Sequence, residues 1–194
     1  MKYLIVILAA LLAVPMPMSA TAAEVGGVSV PESVASLVPG TSLVLNGAGL
    51  RRRAFFRVYV AALYLPKKTA DVTEVLSSPG PKRVAIQMLR DVSAAQFVEA
   101  LNEGMRDNHS AADMKSFEAR MNELSAVMDV LKEAKEGMRI VLDWVPGSGT
   151  IVTVDGTARG KPLAGEDFYR ALLRIWLGDK PVQTDLKNAM LGAA

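Results

Sequence analysis

The sequence of 194 residues contains no cysteine and a single histidine. Without cysteine there can be no disulfide, thiol nucleophile, thiolate metal site or lipoprotein anchor, so packing alone must hold the fold. The histidine, His109, lies in the polar segment RDNHSAAD, where we expect it to be a solvated loop residue. One histidine cannot supply a His-rich metal site, and no partner for a His-based triad is evident.

The motifs of common nucleotide and hydrolase sites are also missing. There is no GxSxG, no P-loop, and no GxGxxG that opens a helix after a strand. The formal net charge is only +2, whereas a nucleic-acid partner favours a clustered excess of Lys and Arg. Acidic residues are scattered among Lys and Arg, which is typical of solvated helix surface. We therefore predict no cofactor, no metal site and no nucleic-acid partner.

Only one apolar run approaches the length of a membrane-targeting segment, and it lies at the start of the sequence. A positive MK start precedes an apolar run over residues 3–14, and ATA at residues 20–22 is an A-x-A cleavage site. We interpret residues 1–23 as a signal peptide that directs the chain to the periplasm; an uncleaved N-terminal anchor is the alternative. Residues 24–194 are then a single domain with no membrane span, of unknown oligomeric state.

The order of predicted elements indicates fold class. Strand patterns come first, two helices follow, strands return around a tight Asp155-Gly156 hairpin, and helices end the chain. Antiparallel hairpins with segregated helices predict an α+β domain, a curved antiparallel sheet with helices over one face. We expect a glycine turn at residues 47–49. The predicted strands cover residues 28–30, 42–46, 50–65 (as one or two), 82–89, 139–145, 150–154 and 157–161. The predicted helices cover residues 93–108, 112–137, 165–177 and 184–191, and a turn with a short helix that starts near Asp71 or Thr73 is predicted within residues 65–80.

Methionines recur on one predicted helix. Met114, Met121 and Met128 are spaced seven residues apart, which places them on one helix face. One interpretation is ordinary core packing. The other is the deformable wall of an apolar pocket, because methionine adapts to irregular shapes.

Three consecutive arginines lie within the apolar stretch LNGAGLRRRAFFRVYVAALYLP, residues 45–66. Strand alternation puts Arg51 and Tyr59 on the same face. An arginine beside buried surface needs an acid from the protein or from a ligand. Its guanidinium fits a carboxylate with two parallel hydrogen bonds, and a tyrosine hydroxyl can donate a third. The alternative is that residues 51–53 are a solvated hairpin tip.

This stretch and LLRIWLGDKPVQTDLKNAMLG, residues 172–192, resemble the chalcone isomerase family. The likeness is greatest to its exported bacterial chalcone isomerase-like members and covers roughly residues 28–192. It implies an open-faced β-sandwich, in which a large antiparallel sheet carries a layer of helices with a ligand cleft between them.

The resemblance also implies site residues. In the catalytic members an arginine after the glycine turn contacts the ligand, a threonine polarises the carbonyl, and helix residues complete the site. Most of these polar groups are replaced here. The corresponding positions are Arg51 for the arginine, Tyr59 for the threonine, Ala95 and Val98 for a tyrosine and a lysine, Asn102 for a retained asparagine, and Ile175 for a late threonine.

A second branch of the family binds fatty acids, with an arginine and a tyrosine on the carboxylate, and Arg51 with Tyr59 resembles that arrangement better. We therefore predict a non-catalytic periplasmic protein that binds a fatty acid or another apolar carboxylate, with Arg51, Tyr59, Asn102 and Ile175 as ligand contacts. One alternative is an isomerase or intramolecular lyase on an unknown substrate, using Arg51 and Asn102. The other is a structural or partner-binding module without a small ligand.

Overall fold

The computed structural model describes residues 22–193. The predicted signal peptide, residues 1–23, lies outside the described residues except for its last two, Ala22 and Ala23, which begin the first strand. None of the helices within residues 22–193 combines the length and the hydropathy of a membrane span.

The described residues form eleven strands and five helices in the predicted order of strands, helices, strands and helices. The elements are β1 Ala22–Val25, β2 Val28–Pro31, β3 Ser33–Ala35, β4 Ser42–Arg53, β5 Phe56–Leu65, α1 Val72–Ser77, β6 Lys82–Met88, β7 Val92–Ser93, α2 Ala94–Asn108, α3 Ala111–Leu131, β8 Glu133–Ala134, β9 Arg139–Val145, β10 Gly149–Val154, β11 Thr157–Leu163, α4 Glu166–Leu177 and α5 Thr184–Met190.

Seven strands form one sheet in the order β11-β10-β9-β6-β5-β4-β3, and every neighbouring pair is antiparallel. One face packs against the helices, and the other packs against the β1–β2 hairpin. This confirms the predicted α+β class. Two further strands, β7 and β8, form a small separate ribbon.

Alternation along β5 shows how the sequence builds two cores. Ala61, Leu63 and Leu65 face the helices, whereas Val60 and Ala62 face the hairpin side. In the larger core, helix α4 packs against these sheet residues with an almost continuous buried face that includes Phe168, Leu172 and Trp176. Each such large apolar side chain contributes about 1.5–3 kcal/mol when it is fully buried.

The predicted glycine turn at residues 47–49 is wrong, because β4 continues through it to Arg53. Its glycines serve close packing instead of a turn. A Cβ atom at Gly47 would lie 2.1 Å from the Ala189 carbonyl oxygen, and one at Gly49 would lie 2.7 Å from the Ala189 Cβ. Helix α5 therefore lies directly on the backbone of β4, and the chain reverses only at Ala54 and Phe55.

The connections around α3 also differ from prediction. The sequence predicts a helix that reaches Gly137, but α3 ends at Leu131, and Lys132 after it adopts a φ of +62°. The following residues pair with β7 instead, so tertiary pairing overrides helix propensity.

His109 is not a solvated loop residue. It ends α2, its Nε2 lies 3.2 Å from the Ala171 carbonyl oxygen, and its ring packs edge-on against Phe117 at 5.5 Å between centroids. The histidine thus joins the α2–α3 connection to α4.

Candidate functional site

The β4–β5 hairpin brings Arg51 and Tyr59 together. The two residues are direct partners across the antiparallel strands, and the chain reverses near Ala54, whose φ is +52°. Alternation along a single strand predicts that both lie on one face. The structure places them on one face because directly opposed residues in an antiparallel pair point the same way.

Arg51 is held by an amide and not by an acid. Its Nη1 lies 3.4 Å from Gln183 Oε1 and also donates to the Arg52 carbonyl. The same Gln183 oxygen accepts from the Arg52 backbone N–H at 2.8 Å, and Gln183 Nε2 donates to the Leu50 carbonyl at 3.2 Å. Gln183, the N-cap residue of α5, therefore fixes the end of β4 through three groups.

Tyr59 links the arginine to the helix layer. Trp176 Nε1 donates a hydrogen bond to the Tyr59 hydroxyl at 3.1 Å. Burial raises the pKa of Tyr59, while the donors Trp176 and Arg51 partly oppose that rise. The hydroxyl is thus neutral at physiological pH. It accepts the hydrogen bond from Trp176 and donates none among the described residues.

No carboxylate within residues 22–193 pairs with Arg51. Its neighbours supply oxygens from an amide and a backbone carbonyl, and the ion pairs of the described chain involve other residues. Neutral acceptors leave the positive charge of a half-buried guanidinium uncompensated. The arrangement is suited to bind an anion, with the guanidinium and the Tyr59 O–H as donors.

The structure does not gather all predicted site residues around this pair. Ile175 is buried next to Trp176, and its Cγ2 would lie 2.8 Å from a Cβ atom at Gly104. Asn102 lines a groove of about 370 Å³ together with α3 side chains. The α3 residues of this α2–α3 groove are Met114, Lys115, Glu118, Met121 and Asn122.

A second, smaller cavity lies on the opposite face of the sheet. Its volume is about 40 Å³, and it is bounded by β2 and by residues of β5 and β6, among them Val60, Tyr64 and Gln87. A space of this size holds a water molecule and not an acyl chain. Neither this cavity nor the α2–α3 groove touches Arg51 or Tyr59.

Sequence reasoning missed two residues that shape the site, Gln183 and Trp176. A buried tryptophan usually finds an acceptor for its indole N–H, so the sequence indicates that Trp176 donates a hydrogen bond. It does not indicate which residue accepts it. Gln183 carried no signal, because its role depends on where α5 begins relative to β4. Among residues 22–193 no cluster of three or more His, Asp or Glu side chains could hold a metal ion.

Comparison with known proteins places the fold. A sequence profile of the chalcone isomerase-like family matches residues 22–192. One matching solved structure is the crystal structure of a fatty-acid binding protein from Arabidopsis thaliana, with a TM-score of 0.66 and 16% sequence identity. The match covers 85% of this chain and 92% of that one. A search of curated protein sequences finds no match.

Proposed function

Because this chain belongs to the chalcone isomerase-like family, we propose that it binds a fatty acid or another apolar carboxylate without catalysing a reaction. The observation that carries the proposal is the Arg51–Tyr59 pair, a half-buried positive charge and a hydroxyl donor with no acid among the described residues. A fold neighbour from Arabidopsis is described as a fatty-acid binding protein, which supports this choice of ligand.

The donors at the pair match a carboxylate head group. Arg51 uses Nη1 on Gln183 and the Arg52 carbonyl, which leaves its other N–H groups for a ligand oxygen. The Tyr59 hydroxyl already accepts from Trp176, so its own hydrogen is the group it can offer. A carboxylate at this position replaces weak neutral contacts of the guanidinium with a charge-assisted, bidentate pair.

The acyl chain has an apolar and adaptable layer to enter. Met88, Met105, Met121 and Met128 are buried in the core between the sheet and the helices. Flexible methionine side chains repack around an inserted chain more readily than branched ones. Met121 also lines the α2–α3 groove, so a displaced Met121 side chain would connect that groove with this layer. Core packing and a deformable wall, the two interpretations of the methionine repeat, are then the same feature.

The positions that bear catalytic groups in the isomerases support binding without catalysis. Ile175 packs against the Gly104 backbone and offers no polar atom, and Ala95 and Val98 are equally unable to transfer a proton. Apolar replacements favour an aliphatic ligand over a phenolic substrate.

We also propose that the protein works in the periplasm after removal of residues 1–23. The support is the apolar run followed by the A-x-A site. Intact-mass analysis of the chain from a periplasmic fraction tests this, since an unprocessed mass would contradict it.

Replacing Arg51 with alanine is expected to remove the ligand and leave the fold intact. Native mass spectrometry after gentle purification should show a bound carboxylic acid in the wild-type protein. The Arg51→Ala variant should retain on the order of 10-fold less, because a hydrogen bond to a charged group contributes about 1.5–3 kcal/mol. Circular dichroism and the unfolding midpoint report the fold.

The matched control is Arg53→Ala, which removes an exposed arginine two residues away on the same strand. Equal retention by the wild-type protein and Arg51→Ala would refute the anchor role. Conversion of a chalcone, followed by its absorbance and lost in Arg51→Ala, would contradict the non-catalytic proposal.

Gln183→Glu is expected to expel the ligand while leaving Arg51 in place. The new carboxylate would lie where an amide oxygen now contacts Arg51 at 3.4 Å, so it competes with the ligand head group for the guanidinium. Ligand retention should fall about as far as in Arg51→Ala.

Gln183→Ala is the control for this substitution, because it removes the same amide contacts without adding an acid. We expect this variant to keep most of the ligand. Equal ligand loss in both Gln183 variants would show that the amide only holds the hairpin in shape, and that charge competition plays no part.

A further inference from the structure

The hairpin tip, which we define as residues 52–57 between β4 and β5, exposes two adjacent aromatic side chains. Phe55 is 99% exposed and Phe56 is 60% exposed. A single exposed leucine or valine needs no explanation, but two adjacent phenylalanines that are both exposed at the end of a hairpin do. Neither ring contributes to the buried core of the described chain.

Arginines surround the two rings. Arg52, Arg53 and Arg57 are exposed on the tip itself, and the guanidinium of Arg90 lies 4.7 Å from the centroid of the Phe56 ring. None of these four forms an ion pair with an acid in residues 22–193. Arg57 donates instead to the Gly26 carbonyl at 3.2 Å.

The charge is localised at this end of the molecule. With Arg51 at the base of the tip, these four arginines bring the local total to five positive charges, whereas the whole sequence has a formal net charge of +2. The remainder of the chain is therefore net negative by three charges. Such an asymmetry orients a protein in front of an anionic surface.

We propose that the hairpin tip docks on an anionic lipid bilayer, with Phe55 and Phe56 inserted at the interface and the arginines on lipid phosphates. Aromatic rings favour the interfacial region of a bilayer, and guanidinium groups pair with phosphate oxygens. Each basic residue near an anionic leaflet strengthens binding.

The shape and charge of the tip distinguish a bilayer from a protein partner. A stable protein interface buries about 800 Å² on each side, which a projecting turn of six residues cannot provide alone. A second copy of the chain would bring two arginine-rich tips together, and like charges repel. A bilayer requires only a short apolar projection with a positive rim. This inference stands on the exposed tip and holds whether or not Arg51 binds a carboxylate.

The test is a tryptophan placed on the tip. The tryptophan fluorescence emission of Phe55→Trp, in the otherwise unchanged chain, should shift to the blue when phosphatidylcholine vesicles that contain about 30% phosphatidylglycerol are added. With pure phosphatidylcholine, or in about 0.5 M sodium chloride, the shift should weaken strongly because the attraction is screened. Val130→Trp is the matched control, because Val130 is 76% exposed on α3 and remote in sequence from the tip.

Charge variants made in the Phe55→Trp background measure the contribution of the arginines. Arg52→Gln with Arg53→Gln should raise the lipid concentration at the midpoint of the shift by about 5-fold per arginine. Lys67→Gln with Lys68→Gln removes the same charge just beyond the opposite end of β5 and should change the midpoint little.

Several outcomes would overturn the proposal. No blue shift on the anionic vesicles, or an equal shift from Val130→Trp, would show that the tip does not insert. Equal effects of the two double charge variants would assign the binding to overall charge. An emission maximum already shifted without vesicles, together with a dimer mass in sedimentation, would show that a second copy covers the tip.

Discussion

Replacing Arg83 with leucine is expected to lower the free energy of unfolding by about 3–5 kcal/mol near pH 7. Arg83 on β6 and Asp143 on β9 are direct cross-strand partners, joined by bonds of 2.6 Å from Nε and 3.1 Å from Nη2. Asp143 is only 3% exposed. Without the guanidinium, a carboxylate that must ionise near pH 7 is left buried and unpaired. Urea unfolding measures the loss.

The loss of unfolding free energy in Arg83→Leu should depend on pH. Burial raises the pKa of Asp143 even beside Arg83, and removing the arginine raises it further. An acid whose pKa is higher in the folded state than in the unfolded chain destabilises the fold above the folded-state pKa, and the penalty disappears below the unfolded value of about 3.9. The variant should therefore recover relative to the wild-type protein as the pH falls from 7 towards 4.

The double variant Arg83→Leu with Asp143→Leu is the control, because it removes both charges and keeps apolar volume on both strands. Its stability should be close to that of the wild-type protein, since well-packed apolar residues often replace a buried ion pair without loss. A deficit in Arg83→Leu that stays constant across this pH range would contradict a buried charge as its cause.

Much of the fold could be predicted because local signals and tertiary packing agree. Ser93 caps α2 with the reciprocal bonds of a capping box, and Asp71 caps α1 through the Thr73 N–H. Asp155 and Gly156 both take positive φ at the β10–β11 reversal, as their sequence predicts.

The failures concern residues whose roles are set by distant parts of the chain. Gly47 and Gly49 look like a turn locally, but their lack of a side chain serves α5, which lies about 140 residues further along. Lys132 ends α3 because the next residues pair with β7. His109 reads as a loop residue until α4 is placed beside it. In each case one sequence pattern fits two structures, and only long-range packing decides between them.

The residues of the candidate site likewise fall into those that local patterns predict and those that depend on long-range packing. Alternation is enough to pair Arg51 with Tyr59. The two side chains lie on one face if this stretch is a single strand, and they also do so if it is a hairpin in which the two residues are directly opposed, as the structure has it. Only the family pattern points to Asn102. The rotation of α2 that buries Leu101 and Met105 turns Asn102 towards the groove with α3, and no local signal fixes that rotation.

Gly47→Ala should be strongly destabilising, although this is the smallest possible substitution and Gly47 has no positive φ. The added Cβ would lie 2.1 Å from the Ala189 carbonyl oxygen and 2.9 Å from the Gly192 backbone nitrogen. Because backbone atoms cannot rotate away as a flexible side chain can, α5 must move off β4. We expect a loss of about 3 kcal/mol or more in the free energy of unfolding.

A second glycine separates this steric cost from the cost of backbone conformation. Gly137 has a φ of +84° and nothing within 4 Å of an added Cβ, so Gly137→Ala should lose only about 1–2 kcal/mol from the left-handed conformation.

Hydrogen exchange locates the damage. Amides of α5 should exchange faster in Gly47→Ala and stay protected in Gly137→Ala. Gln183 begins α5 and holds Arg51 and the Arg52 amide, so a displaced α5 also releases the arginine. Gly47→Ala should therefore free α5 even where most of the chain remains folded. Protected α5 amides in this variant would show that the helix does not rest on the β4 backbone as described.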